Sequence, residues 1–428
     1  MIIHGFFIKQ NSLFNSERMI FTRTYKDNWS FFNKISFRFL FIYFVSYCLS
    51  GFIGATLESP VRWIADNIFS ISYEFSSKAT GSGDTTYKYI QTFLFFCIAL
   101  FGTLIWSLLD RKRKSYNKFN YGFLIFIRII LVYYLLAYGI VKLFHLQMIP
   151  PTYSQLIQPL GEMSPMGLAW TFMGFSKGYS MFAGGVEVLA ALLLIPRRTQ
   201  TFGALVSIAV MTQVFIMNLC FDIPVKLFSF HLILMGFVIF LSDAERYYKL
   251  LFTNRAIEKN EIYPKRNKEG ATLIPIIKVI LLVIVSWVMS SSNISRSKKY
   301  KEIFNTPLSG VWEVTSFKKS DSETDKVFPD NKRWKNLIVD VKGSMNVQMI
   351  DNSKYYYKTE IDTINKNISF ESSNNGFTLK YHATENYLQL NGSLGQDTVE
   401  IQFLRKTKSD FLLTNRGFHW INEFPDNR

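Results

Sequence analysis

The sequence predicts two parts, an α-helical membrane bundle followed by a small all-β domain. The chain has 428 residues, of which 49% are hydrophobic, and its mean hydropathy of +0.11 lies between values typical of membrane and soluble proteins. Long apolar runs fill residues 35–288, whereas the sequence from Lys298 onward is polar with short alternating patterns. A composition shift of this kind indicates separate domains.

Seven apolar runs predict transmembrane helices. A helix needs about 20 mostly apolar residues to cross a bilayer, and its backbone groups must be satisfied within the helix. The predicted spans are Ser36–Thr56, Tyr89–Leu109, Gly122–Phe144, Tyr179–Ile195, Thr201–Leu219, Leu227–Leu241 and Leu273–Val288. The fourth and sixth are the least certain by length. Residues 122–251 hold four of them.

The distribution of basic residues among the loops predicts how these helices are oriented in the membrane. The net charge is +16, and basic loops alternate with loops that are not basic. The basic loops include residues 111–118 and 246–268, so the positive-inside rule places the N-terminus in the cytoplasm and the C-terminal domain outside. We therefore expect a multi-pass protein of the cytoplasmic (inner) membrane, with the lipid bilayer as a partner. Nucleic acid is not expected, because no basic face carries interleaved aromatic residues.

The same pattern sets the expected domain boundaries. We expect a cytoplasmic leader over 1–35, two additional spans over 36–110 and a membrane core over 111–251. A cytoplasmic loop and the last span follow over 252–291, and the external β domain occupies 298–428. The basic leader is too long for a cleavable signal peptide and indicates a signal anchor. Met19 is an alternative start.

The cysteines and the prolines each support a further prediction. The three cysteines lie in or beside apolar runs without C-x-x-C spacing, so they indicate packing residues, and no metal site is expected. The segment 145–178 contains Pro150, Pro151, Pro159 and Pro165, which forbid one continuous helix. It is predicted either as a surface-lying or re-entrant cap or as an ordinary packed loop.

Glu187 is the most informative residue, because a carboxylate within an apolar helix is expensive unless it is paired or functional. It lies about 12 Å from the outer end of the fourth span. Lys142 closes the outer end of the third. Gly139 and Gly184 each stand three residues before one of these charges, hence on the same helix face. Small residues there let two helices approach closely, so the spacing predicts a buried Glu187–Lys142 pair.

Other polar residues cluster at the same predicted end of the bundle. Asn218, Asp222 and Lys226 surround the turn between the fifth and sixth spans, and His231 lies about one turn into the sixth. We expect these residues to line a pocket. Arg128 lies nearer the cytoplasmic end and is a candidate separate anchor. Lys142, Lys226 and His145 are equally compatible with side chains that snorkel to lipid headgroups.

The stretches RIILVYYLLAYGIVK, GGVEVLAALLLIPRRTQTFGA and NLCFDIPVKLFSFHL resemble the DoxX-like membrane protein family. The order G-x-x-K, G-x-x-E and N-x-x-x-D with a following Lys carries the resemblance, over about Arg128–Leu251. It implies a four-helix core with a site at Arg128, Lys142, Glu187, Asn218 and Asp222. Some members resemble small subunits of quinone-linked oxidoreductases, including thiosulfate:quinone oxidoreductase. The present chain adds three spans and an external domain to that pattern.

The C-terminal part predicts nine short strands of an up-and-down barrel. They are Gly310–Lys318, Trp334–Val341, Ser344–Ile350, Tyr355–Ile361, Asn367–Glu371, Phe377–Tyr381, Tyr387–Asn391, Thr398–Leu404 and Phe411–Asn415. Gly310 and Trp312 form a G-x-W on the first strand and Arg416 follows the last. This is similar to the lipocalin-like pattern, in which a late arginine packs over the tryptophan.

The leading functional hypothesis is an electron-transfer-associated membrane subunit that handles a quinone with a redox partner protein. In it, Glu187 transfers a proton, Lys142 and His231 contact a quinone oxygen, and Tyr134, Tyr138 and Trp170 stack on the ring. No covalently bound cofactor is expected, and quinone is the candidate ligand. The alternatives are a non-catalytic scaffold whose barrel binds a lipid, another hydrophobic ligand or a partner, and a small-solute transporter. A haem held by His145 and His231 is a weaker alternative.

Overall fold

The computed structural model describes residues 27–78, 80–243, 247–248, 268–320, 333–372, 376–395 and 397–426. The chain forms two compact units. One comprises residues up to 143 together with 181–290, and the other comprises residues 144–180 together with 291 onward. Most of the expected leader, including Met19, and most of the basic segment 246–268 lie outside the described residues.

The first unit is helical, and helices also occur in the second unit. The helices of ten or more residues in the described chain are α1 (Phe31–Cys48), α2 (Glu58–Asn67), α3 (Thr86–Leu109), α4 (Asn117–Leu143), α5 (Pro165–Phe175), α6 (Lys177–Leu194), α7 (Gln200–Cys220), α8 (Lys226–Leu241) and α9 (Lys268–Phe304). The second unit holds α5 and the end of α9. Five of them are long and apolar enough to cross a membrane: α3, α4, α6, α7 and the Ile276–Phe304 part of α9. The apolar α8 is shorter, with 16 residues, and α1 occupies the region of the first predicted span.

Several predicted boundaries were wrong. Helix α1 ends at Cys48 rather than Thr56, because the glycine-containing stretch after it breaks into a helical turn, Ser50–Ile53, and a 3₁₀ turn, Gly54–Leu57. The expected loop 57–88 contains α2, whose apolar side packs on the start of α3. Helix α9 continues to Phe304, since residues 289–304 contain neither glycine nor proline to stop it.

The segment 144–180 is not one helix, as its prolines predicted. It contains a helical turn at Tyr153–Leu156, a 3₁₀ turn at Leu160–Glu162 and then α5. The hydroxyl of Ser164 accepts a 3.0 Å hydrogen bond from the Gly167 N–H and caps α5. This segment groups with the β domain in the second unit.

The β domain is a closed barrel of eight antiparallel strands in sequence order. The strands are β1 (Gly310–Ser320), β2 (Trp334–Val339), β3 (Ser344–Met349), β4 (Lys354–Asp362), β5 (Asn367–Glu371), β6 (Gly376–Ala383), β7 (Tyr387–Leu394) and β8 (Asp397–Lys406). The last strand pairs with the first, from Val311 opposite Lys406 to Ser320 opposite Thr398.

The predicted ninth strand, Phe411–Asn415, was wrong. Because β8 already pairs with β1, the closed barrel offers no free edge to another strand. The chain after β8 instead forms a 3₁₀ turn, Lys408–Asp410, and a helical turn, Leu412–Asn415. The Thr414 hydroxyl donates to the carbonyl of Lys408 and joins these two turns.

The barrel interior is filled by its own side chains. Leu337, Phe370, Leu390 and Phe403 have no exposed surface and belong to one apolar cluster. The rings of Phe370 and Phe377 stack with centroids 4.8 Å apart. A fully enclosed side chain leaves no water-sized space beside it, so the packing around these residues weighs against a ligand among them.

Phe370→Ala tests this packing. Removing a fully buried ring should lower the free energy of unfolding of the barrel by about 3–5 kcal/mol, because a cavity replaces it. Pulse proteolysis of the full chain in urea, followed by peptides from β5 and β6, measures the change. Ile364→Ala is the control, since Ile364 is 89% exposed and should change stability by less than about 0.5 kcal/mol. Equal effects would contradict a packed interior.

Candidate functional site

The candidate site centres on a buried ion pair in the helical unit. Lys142 lies in the last turn of α4 and Glu187 lies near the middle of α6. The Lys142 ammonium donates to Glu187 Oε1, and both residues are at most 5% exposed. The predicted pairing of these two residues is therefore confirmed.

Two glycines let the paired helices touch. A Cβ atom on Gly184 would lie 2.5 Å from the carbonyl oxygen of Gly139, and one on Gly139 would lie 2.8 Å from the carbonyl oxygen of Gly184. No side chain fits at such separations, so the backbones of α4 and α6 are in direct contact one turn before each charge. The G-x-x-K and G-x-x-E spacings thus predicted the contact correctly, and it brings the lysine within reach of the carboxylate.

The second oxygen of Glu187 is not satisfied by the ion pair. Glu187 Oε2 is buried and has no hydrogen-bond partner among the described residues. A buried polar atom without a partner loses its hydration energy without compensation. A hydrogen-bond donor from a bound molecule, or a proton, would supply what this oxygen lacks.

Tyr134 and Tyr138 lie one turn apart on α4 beside an aromatic residue of α8. The centroid of the Phe228 ring is 4.8 Å from that of Tyr134, edge-on, and 6.2 Å from that of Tyr138. These contacts place both tyrosine rings against the start of α8. The third predicted ring contact, Trp170, lies on α5 in the second unit.

His231 is hydrogen-bonded through both of its ring nitrogens, which weighs against the predicted contact with a quinone oxygen. Its Nδ1 lies 2.7 Å from the carbonyl oxygen of Leu227, which can only accept, so Nδ1 carries the hydrogen. Nε2 is then the acceptor of the 2.7 Å hydrogen bond from the Tyr43 hydroxyl. The ring also stacks on Tyr47 at 3.8 Å and 3°. A haem ligand needs a free ring nitrogen, so this arrangement disfavours the haem alternative.

The residues of the turn before α8 hold that turn together. Asn218 donates from Nδ2 to the Ser229 hydroxyl at 3.0 Å. Lys226 pairs with Asp222 at 2.7 Å, and Asp222 is largely exposed with a φ of 50°. These contacts explain the polar residues of this turn by local structure; among the described residues, the hydrogen-bond partner of Glu187 is Lys142.

Asp84 is a residue that the sequence reading missed. Its two carboxylate oxygens accept from the backbone N–H groups of Lys226 and Leu227 at 2.8 and 2.9 Å, so it caps the N-terminus of α8 from a distant loop. The adjacent Gly83 N–H donates to the carbonyl of Pro224 at 2.7 Å. No local signal could have revealed this cap, because Asp84 stands in a loop of mixed charge far from α8 in sequence.

Two buried arginines, Arg128 and Arg38, form hydrogen bonds away from the ion pair. Arg128 hydrogen-bonds to Gln200, and it precedes Lys142 by 14 positions on α4, or about 21 Å of helix. Arg128 therefore lies apart from the ion pair, in keeping with a separate anchor. Arg38 on α1 is 3% exposed and donates to the Tyr116 hydroxyl at 2.7 Å and the Ser107 hydroxyl at 2.7 Å.

The arginine that packs over Trp312 is not the predicted Arg416. Arg405, at the end of β8, lies 5.5 Å above the Trp312 ring and donates to the carbonyl of Ser309 at 3.0 Å. Arg416 instead binds Asp426 and Asn422 in the C-terminal tail. The prediction of Arg416 was wrong because the last strand ends at Lys406. Gly310 has a φ of 150° and lies against Arg405, where a Cβ would be 3.2 Å from its Nε.

Comparison with known proteins gives one relative. No family model matches the chain and no solved structure matches it. A stretch of 144 residues, 32% of the chain, is 28% identical to the uncharacterized protein YwoB of Bacillus subtilis (strain 168) and covers 85% of that protein. This similarity covers about a third of the chain and assigns no activity.

Gly184→Ala and Gly185→Ala form a matched test of the helix contact. Gly184 faces the backbone of α4, whereas nothing lies within 4 Å of a Cβ built on Gly185. Alanine at 184 must push α6 from α4 and should lower the thermal stability of the purified protein in detergent. Alanine at 185 should leave it unchanged or raise it slightly, because alanine favours a helix over glycine by about 1 kcal/mol. Equal melting temperatures for the two variants would contradict the contact.

Proposed function

We propose that this chain is a multi-pass bacterial inner-membrane protein of the DoxX-like class, whose helical unit binds a quinone and exchanges a proton with it through Glu187. The observation that carries the proposal is the buried Lys142–Glu187 pair with its unpartnered Glu187 Oε2. Ionisable groups inside membrane helices commonly mark proton or substrate paths. The G-x-x-K and G-x-x-E stretches that resemble the family are the ones that meet at this pair.

In the proposed orientation, the N-terminus is cytoplasmic and the barrel lies outside. The alternation of basic and non-basic loops supports it, because lysine and arginine are retained on the cytoplasmic side. The pair then lies in the outer half of the bilayer.

In the proposed reaction, a redox partner supplies the electrons and this chain delivers a proton. Reduction of a quinone to a quinol takes up two electrons and two protons. The electrons come from the partner protein, since the sequence holds no redox-cofactor motif of its own. Glu187 delivers one proton to a quinone oxygen from Oε2, Lys142 stabilises the carboxylate that remains, and water supplies the second proton. Tyr134 and Tyr138 supply ring contacts beside the pair, while His231 is a structural support rather than a quinone ligand.

The first experiment measures quinone in an organic extract of the detergent-purified protein by mass spectrometry. The wild-type protein should carry quinone, and Glu187→Gln should carry about tenfold less at equal detergent exchange, a difference of about 1.4 kcal/mol in binding. Glu162→Gln is the matched control, because Glu162 is exposed in the segment 144–180 and should retain the wild-type level.

A titration with a short-chain quinone extends that experiment to protein that has lost its ligand during purification. Saturable binding to wild type and Glu162→Gln, weakened in Glu187→Gln, supports the proposal. An absence of quinone in every extract together with no saturable binding overturns it.

A second candidate is a scaffold whose barrel binds a partner through its outer surface. The packed interior around Phe370 and Phe403 favours this version over a barrel that encloses a lipid. The Trp312 and Arg405 contact supports a lipocalin-like barrel, although such a barrel would here be filled. A wild-type protein without quinone that retains one defined partner after purification would favour the scaffold.

A further inference from the structure

The segment 144–180 connects the two helices that carry the ion pair. It begins two residues after Lys142, and the chain that leaves it reaches Glu187 on α6. The helices pack backbone to backbone at Gly139 and Gly184, so a small movement of either helix end changes the approach of the two charges. The conformation of the segment is therefore coupled to the pair through the chain itself.

The two ends of this segment are fixed to each other. A Cβ built on Gly174 would lie 2.0 Å from the carbonyl oxygen of Ile149, so the backbone at 174 touches the backbone at 149. Met148 and Met173, next to these two positions, are buried. The segment is thus a closed loop whose ends cannot separate without breaking this contact.

The start of the segment is clamped to the barrel by Asp340, the residue after β2. Asp340 Oδ1 accepts from the Tyr153 N–H at 2.6 Å, and Oδ2 accepts from the N–H and the hydroxyl of Ser154 at 3.0 and 2.5 Å. These N–H groups open the helical turn Tyr153–Leu156, whose own cap is Thr152. A carboxylate with both oxygens engaged by backbone donors is a rigid, charge-assisted attachment.

Neighbouring contacts reinforce this attachment. Asn346 on β3 donates to the Ser154 hydroxyl at 3.3 Å, and the Lys408 ammonium lies 5.7 Å from the centre of the Tyr153 ring. Burial lowers the pKa of Lys408, and the nearby Asp340 carboxylate opposes that effect. The Lys342 N–H, in the same β2–β3 turn, donates to the carbonyl of Ile303 in α9 at 2.8 Å.

We propose that Asp340 is a positioning residue for the ion pair: by clamping the segment 144–180 to the barrel, it keeps α4 and α6 in the arrangement that seats Lys142 against Glu187. Loss of the Asp340 contact then changes the proton affinity of Glu187 and the affinity for the quinone through the segment 144–180 and the two helices that it joins. This inference rests on the proposed function for the quinone, whereas its structural part is independent of it.

The test uses the full-length protein in lipid nanodiscs. Asp340→Ala removes the clamp, Asp340→Asn keeps one acceptor oxygen, and Gly174→Ala disturbs the same segment at its other contact. The control is Asp362→Ala. Asp362 lies in the same barrel and likewise accepts from two backbone N–H groups, those of Ile364 and Asn365, both at 2.9 Å, but it holds only a local turn.

Three quantities are measured. Hydrogen exchange reports on peptides covering 139–143 and 181–187. The infrared band of the Glu187 carboxyl, identified by its loss in Glu187→Gln, reports on the ion pair. Titration with a short-chain quinone gives Kd.

Asp340→Ala and Gly174→Ala should raise exchange at least fivefold at 139–143 and 181–187, shift the Glu187 band and weaken quinone binding about tenfold. For all three quantities, Asp340→Asn should give values between those of Asp340→Ala and wild type. Asp362→Ala should give the wild-type values. Faster exchange confined to 150–158, with an unchanged Glu187 band, overturns the positioning role. If exchange and the band respond but wild type binds no quinone, the proposed function fails while the positioning role stands.

Discussion

A charged side chain among membrane helices has few ways to be tolerated, and this limit governs the helical unit. Burying a carboxylate or an ammonium costs several kcal/mol even after the surroundings relax. Lys142 and Glu187 offset that cost only by direct contact, so α4 and α6 must approach more closely than ordinary side chains allow. Gly139 and Gly184 provide that approach with backbone against backbone. The glycine contact and the ion pair therefore depend on each other.

The constraint on the barrel is a different one: backbone N–H and C=O groups at the edge of a sheet have no strand to pair with. Closure between β1 and β8 gives every strand two neighbours, and the interior cluster around Phe370 supplies the apolar burial that a small domain needs. A barrel filled in this way has only its outside and its ends for contacts. Asp340 uses one such position, at the turn after β2, to hold the segment 144–180. Closure thus explains both the absence of a ninth strand and the location of the contact with Tyr153 and Ser154.

The sequence predicted contacts that follow from local spacing and failed on contacts that depend on distant chain segments. G-x-x-K and G-x-x-E predicted the helix contact because residues three apart share a face. Asp84 was missed because its partners, Lys226 and Leu227, lie more than a hundred positions later. The burial of Arg38 was not predicted either, because its partners Tyr116 and Ser107 lie 78 and 69 positions later. The arginine over Trp312 could be identified only once the end of β8 was known, since Arg405 and Arg416 both follow a predicted strand.

The buried polar groups of the helical unit are not equivalent in their hydrogen bonding. Arg38 and Arg128 are each engaged by neighbouring side chains, and His231 has both ring nitrogens occupied. Buried polar contacts of this satisfied kind fix the relative positions of helices. Glu187 is the only carboxylate in the described part of the chain with a buried oxygen that lacks a partner. A buried polar atom without a partner loses its hydration without compensation, so Glu187 contributes less to the stability of the helical unit than a fully hydrogen-bonded carboxylate would.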